Sequence, residues 1–158
     1  MAIEIERKFL VVNDDWRQHV ASHKSMLQGY FAGGGKASIR VRISGQSANL
    51  NIKSATLDVT RKEYEVPIPV EDAREMLDLL CEKPVIEKTR HYIPQDKLTW
   101  EVDEFIGDNE GLIVAEIELS DADEVFEKPS WLGKEVSDDT RYYNVCLVKN
   151  PYKNWRNE

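Results

Sequence analysis

No run of apolar residues in this chain is long enough to span a bilayer, and its first residues carry no basic stretch followed by an apolar one. Neither a membrane anchor nor an export signal is expected, and the cytoplasm is the expected location. Cysteine is scarce. Cys81 and Cys146 stand far apart with no CxxC or CxxxC spacing, so a disulfide framework or zinc site is not expected, and two buried free thiols are. Basic charge is also short, with 21 lysines and arginines against 29 acids and a formal net charge of -8. That balance argues against a general binder of nucleic acid or anionic membrane, which needs a basic footprint to displace counterions. Glycine forms no phosphate loop: Gly35-Lys36 is followed by Ala37, and position 30 holds Tyr30 rather than glycine. No repeat and no low-complexity segment interrupts the 158 residues, whose 41% hydrophobic content suits one domain, 1–158, with a sizeable core.

What is present is a two-residue alternation of charge. Glu4, Glu6 and Lys8 alternate with Ile3, Ile5 and Phe9, and same-sign pairs at i, i+2 recur at Arg40/Arg42, Glu63/Glu65, Lys88/Arg90, Glu101/Asp103 and Glu116/Glu118. The intervening positions are largely Ile, Val, Leu, Tyr or Trp. Spacing of two puts each pair on one face of a strand. Strands are expected over 2–12, 25–32, 37–44, 48–54, Thr60–Ile68, 85–93, 98–106 and 112–120. Gly33-Gly34-Gly35 and Ser44-Gly45-Gln46-Ser47 read as hairpin turns. Helices are expected from Trp16 to Val20, over Glu71–Cys81 with its Ala73, Met76, Leu77, Leu80 stripe, from Asp121 to Phe126 and over 140–149, where Pro151 ends the last. The remainder, 151–158, is polar apart from Trp155 and reads as a flexible tail. Eight antiparallel strands joined mostly by short turns predict a mainly β fold: a closed eight-stranded barrel with a few peripheral helices and a C-terminal helix.

Two assignments of the strand faces compete. Apolar faces could fill the barrel and leave the charges in water, as in an arbitrary β protein. Against this, same-sign pairs are unusual on surface strands, and the helices carry apolar stripes that need an apolar sheet to cover. With the charges inward, eight acids and six bases (Lys8, Arg40, Arg42, Lys53, Lys88, Arg90) share a lumen. Burying so many ions dry costs several kcal/mol apiece, so the lumen must be wet and built for an ionic ligand. Carboxylates bind hard cations such as Mg²⁺ or Mn²⁺, while arginine forks and lysines suit phosphate. The six bases are therefore the expected phosphate cradle. Other charged residues fall elsewhere: Arg7 and Glu87 are expected to pair outside, Arg61 to line one mouth, Arg141 to stand near the other, His91 to face outward, and His19 and His23 to share a solvated helical face.

The ordered motifs Glu4-x-Glu6-x-Lys8, Gln28-Gly29-Tyr30, Arg40-Val41-Arg42, Ile52-Lys53, Glu63-Tyr64-Glu65, Glu87-Lys88-Thr89-Arg90, Glu101-Val102-Asp103 and Glu116-Ile117-Glu118 resemble the CYTH superfamily, the triphosphate tunnel metalloenzymes, over almost the whole chain. The resemblance is greatest to the short bacterial inorganic tripolyphosphatase-like members. It implies a tunnel, dependence on Mg²⁺ or Mn²⁺, a small-molecule triphosphate substrate rather than a nucleic-acid or membrane partner, and a homodimer. It implies further that Glu4, Glu6, Glu63, Glu65, Asp103, Glu116 and Glu118 supply metal ligands and that Lys53 and Tyr30 form a catalytic pair. Lys53, set among cations, is expected to have a lowered pKa. The expected reaction is hydrolysis of a terminal phosphoanhydride. The alternatives are an adenylate cyclase, a thiamine triphosphatase, or a non-catalytic module that binds polyphosphate.

Overall fold

The computed structural model describes residues 2–32, 35–55 and 59–155. Nine strands run β1 (Ala2–Val11), β2 (Ser22–Tyr30), β3 (Ala37–Ser44), β4 (Ser47–Ser54), β5 (Thr60–Ile68), β6 (Ile86–Gln95), β7 (Leu98–Phe105), β8 (Ile113–Leu119) and β9 (Leu132–Glu135). The sheet order is β5-β4-β3-β2-β6-β7-β8-β1-β9, and a further β5–β1 pairing closes the first eight strands into an antiparallel barrel. Closure is local. β1 pairs with β5 only from Ala2 to Ile5, then with the short β9 at Phe9 and Val11 along the same side. The β3–β4 hairpin has a two-residue loop that begins with Gly45 at φ 60°, a conformation glycine adopts without a Cβ clash.

The apolar faces point outward under two separate cores, and a third core forms at one end of the barrel. Phe9, Trp100, Val102, Ala115 and Ile117 from β1, β7 and β8 are buried under Trp16 and Trp131. Their rings meet edge to face, with Phe9 and Trp100 centroids 5.7 Å apart and Trp100 and Trp131 5.6 Å apart. Val41, Ile43 and Ala48 of β3 and β4 lie under α1 (Val70–Leu79), which buries Ala73 and Leu77. The third core seals one end of the barrel. There the inward positions turn apolar, with Tyr30, Ile86, Phe105 and Val114 packed against Leu147 and Val148 of α2 (Asn144–Lys149).

Several expectations change. Residues 121–126 form no helix, because Glu124 turns back to accept from the Ser120 backbone N–H at 2.7 Å and the Ser120 hydroxyl at 2.8 Å, while Asp121 accepts from the Asp123 N–H. Side-chain bonds of this kind compete with helix formation. His23 lies on β2 and stacks against the outward-facing His91, so His19 and His23 share no helix face. Arg7 pairs with Glu135 at 2.6 Å rather than with Glu87, since β9 occupies the neighbouring edge. Arg141 is held by Asp139 and lies over the Tyr142 and Trp155 rings, away from the bore wall. Trp155 is buried against the third core, so the chain is packed as far as that residue. Gly33, Gly34 and 156–158 lie outside the described residues. Both cysteines are free, Cys81 buried and Cys146 half-buried. Among the described residues no helix is long and apolar enough to cross a membrane.

Candidate active site

Inside the barrel lies a polar cavity of about 200 Å³, space for about seven waters. The alternation places its lining. β1 contributes Glu4, Glu6 and Lys8, β3 Arg40 and Arg42, β4 Lys53, β5 Glu63 and Glu65, β6 Lys88 and Arg90, β7 Glu101, and β8 Glu116 and Glu118, with Tyr30 from β2. Thirteen of the fourteen charged residues expected in the lumen thus meet in one bore, together with Tyr30. Arg61 joins them and sets its guanidinium 4.7 Å from the Tyr143 ring centroid.

Asp103 is the exception. It is fully buried, absent from the bore surface, and saturated by cations: Arg90 donates to both its oxygens at 2.8 and 2.9 Å, and Lys88 Nζ lies 2.7 Å away. It stands behind the wall as a counter-ion to Lys88 and Arg90. Arg90 and Lys88 hold its carboxyl below the usual range although burial alone would raise it. Burial pushes the Lys88 ammonium down to about 7, with Arg90 and Arg42 reinforcing the shift against Asp103.

Lys53 meets a carboxylate where a setting among cations was expected. Its Nζ lies 3.0 Å from Glu4 Oε1, so its immediate partner is a carboxylate rather than the cation cluster. The cation cluster itself is Arg40, Arg42 and Arg90. Burial and then the charges of Arg40 and Arg90 bring the Arg42 guanidinium down to about 9. Arg40 Nε is buried and has no hydrogen-bond partner among the described residues. A guanidinium N–H left without an acceptor in a polar bore is costly unless an anion or water meets it.

The acids show the complementary frustration. Glu6 and Glu116 lie on neighbouring strands, and each shifts the ionisation of the other. Burial and then the Glu116 charge drive Glu6 well above the ordinary carboxylate range. Glu116 is held well below it by Lys8 and Arg90, in spite of its own burial. Glu4 is raised by burial despite Lys53, and Glu118 by burial and the charge of Glu4. Two buried carboxyls driven apart in this way are what a divalent cation stabilises together, so the donor set fits Mg²⁺ or Mn²⁺. Among the described residues no three such ligands converge into a ready cage. Magnesium does not require one, because it commonly takes one or two protein carboxylates and completes its shell with waters and phosphate oxygens.

Sequence reasoning missed three parts of the wall. Ser38 and Asn51 share strand phase with Arg40 and Lys53, so the alternation did contain them. Gln28 is buried between Tyr30, Arg42 and Asn144; it has the same phase as Tyr30, a signal passed over because it is uncharged. Tyr143, Asn144 and Val145 enter from the C-terminal segment, where no strand periodicity marks them.

Residues 2–145 match the model of the CYTH domain. The chain is 49% identical over 156 residues to an inorganic triphosphatase of Acetivibrio thermocellus, covering 99% of each protein. It is 36% identical over 151 residues to an inorganic triphosphatase of Nitrosomonas europaea, covering 92% of this chain and 96% of the other. A crystal structure of an inorganic triphosphatase superposes with a TM-score of 0.64 at 33% identity, covering 94% of this chain and 95% of that one.

Proposed function

Because the chain belongs to the CYTH domain family, we propose that its bore hydrolyses inorganic tripolyphosphate to pyrophosphate and phosphate, water attacking a terminal phosphorus in line. The observation that carries this reading is the pairing of two unmet needs in one cavity: a buried, unpartnered Arg40 Nε among crowded guanidinium groups, and the Glu6–Glu116 carboxyl pair opposite. An oligophosphate satisfies the first and a divalent cation the second.

A cation held by Glu6 and Glu116, with Glu4 and Glu118 beside them, would neutralise charge on the phosphate oxygens. The remaining work falls to the protein. Arg40, Arg42 and Arg90 offer guanidinium N–H groups to phosphate, and Lys8 and Lys88 add point charge. Tyr30 accepts a hydrogen bond from Gln28 Nε2 at 3.0 Å, which leaves its own hydroxyl proton to donate elsewhere. Lys53, paired with Glu4, would exchange a proton through Tyr30 with water or the leaving group. Glu63 and Glu65 stand on the facing strand, with Glu65 fixed by Asn51 at 3.1 Å, and a second cation there would be their role. Two unpaired cysteines fit a reducing compartment, and the reading places the enzyme in the cytoplasm.

The test is to incubate the purified protein with Mg²⁺ and, separately, tripolyphosphate, ATP or thiamine triphosphate, and to assay phosphate, pyrophosphate and cyclic nucleotide. Phosphate release from tripolyphosphate should exceed that from either other compound by about tenfold or more, a margin of about 1.4 kcal/mol in transition-state binding. Cyclic AMP as the main product of ATP would replace this reading with a cyclase, and tight binding without turnover would replace it with a binding module. Lys53→Ala should lower kcat far more than it weakens tripolyphosphate binding; an unchanged kcat removes Lys53 from the mechanism.

A further inference from the structure

Every barrel strand sends side chains into the bore, and among the described residues only Tyr143, Asn144 and Val145 reach its wall from elsewhere. They belong to the segment that stoppers the apolar end of the barrel. Asn144 is the first residue of α2 and Tyr143 holds the N-cap position, so a capping role does not account for the Asn144 side chain. Its Oδ1 instead accepts two hydrogen bonds from barrel strands, from Lys88 Nζ on β6 at 2.9 Å and from Gln28 Nε2 on β2 at 3.2 Å.

Both donors lead to the phosphate cradle. Lys88 itself lines the bore, and its other strong partner, Asp103, lies behind the wall. With Asp103 alone to answer, the ammonium would settle toward the wall, whereas Asn144 supplies a second acceptor at the stoppered end and fixes the direction of Nζ. Gln28, fully buried, uses its remaining oxygen to accept from Arg42 Nε at 2.9 Å, so its orientation sets that of the guanidinium. The chain Lys88–Asn144–Gln28–Arg42 thus joins cations on β6 and β3 through one carboxamide on the C-terminal segment.

We propose that Asn144 is a positioning residue for substrate binding, holding Lys88 and, through Gln28, Arg42 where the inner end of the oligophosphate chain rests. This rests on the triphosphate reading above. The hydrogen bonds concern cations that meet the ground-state anion, so their loss falls mainly on binding rather than on the chemical step.

The experiment compares wild type with Asn144→Leu, close in shape but without an acceptor, by steady-state kinetics and by calorimetric titration with tripolyphosphate. KM and Kd should both rise about tenfold, the loss of one hydrogen bond from a charged donor. The fall in kcat should stay below about threefold, since the affected bonds are made equally in ground and transition states. In a Lys88→Met background the same change should raise Kd less than about threefold, because its main partner is already gone. Unchanged KM and Kd in Asn144→Leu overturn the proposal, and so does a full tenfold effect that persists in the Lys88→Met background. Should the leucine variant fail to fold, Asn144→Ser, whose hydroxyl is too short to reach both donors, is read by the same criteria. A wild type that neither binds nor hydrolyses tripolyphosphate sinks the triphosphate reading and this role together, whereas an active wild type with an indifferent Asn144→Leu sinks only the role of Asn144.

Discussion

Arg90 donates to both carboxylate oxygens of Asp103, at 2.8 and 2.9 Å, and this fork lies behind the bore rather than in it. Asp103→Asn keeps the shape but leaves Lys88 and Arg90 without their buried counter-ion. Breaking such a pair costs about 3–5 kcal/mol, to be read from urea unfolding. Because Asp103 does not reach the bore surface, the Mg²⁺ concentration for half-maximal residual activity should change little; a large rise would make Asp103 a metal ligand after all.

The Glu6–Glu116 pair carries a second expectation. Glu6→Gln removes the carboxyl that burial and its neighbour push up, so the metal-free protein should be as stable as wild type or more so. Mg²⁺ should raise the Tm of wild type, since a ligand that binds only the folded state stabilises it, and should raise that of Glu6→Gln by less than half as much. Equal shifts in differential scanning calorimetry would exclude Glu6 as a ligand.

Lys88 predicts a pH dependence of stability. Its ammonium titrates near 7 when folded, against an ordinary value of 10.5. Between those limits the unfolded chain keeps a proton that the folded chain has released, so stability rises with pH across that window, while the full penalty of burying the charge applies below 7. The difference in unfolding free energy between wild type and Lys88→Met should therefore move in favour of wild type by a few kcal/mol from about pH 7 to about pH 10. A flat difference would mean that Lys88 remains charged throughout.

Gly29 supplies a test of packing. A Cβ there would lie 2.9 Å from both Cys81 Cβ and Leu77 Cδ2, so the glycine between inward-facing Gln28 and Tyr30 is what lets the end of α1 approach β2. Gly29→Ala should destabilise the fold by about 1–3 kcal/mol, measured by thermal or urea unfolding, with the bore residues themselves untouched. No loss would mean that α1 can shift freely.

The barrel was legible because its strands alternate with period two and carry charge on one face only. β5 begins and ends at Thr60 and Ile68 as the pattern indicates, and Glu6, Arg42, Glu65 and Lys88 all point inward. What alternation could not show depends on contacts distant in sequence. β9 is only four residues long, and Gly133 within it lies so close to β1 that a Cβ would meet the Leu10 carbonyl oxygen at 3.0 Å. Asp103 has the same phase as Glu101, yet only its position at the sealed end, opposite Arg90 and Val114, withdraws it from the bore. Asn144 belongs to no strand, and its part in the wall follows from where the third core docks α2.

The apolar seal beneath α2 has a kinetic corollary. A channel blocked at one end has a shared doorway, so in the proposed reaction pyrophosphate and phosphate would retreat along the route by which the next substrate arrives. Traffic of that kind would be single file, with departing product competing directly with incoming substrate for the same row of guanidinium groups.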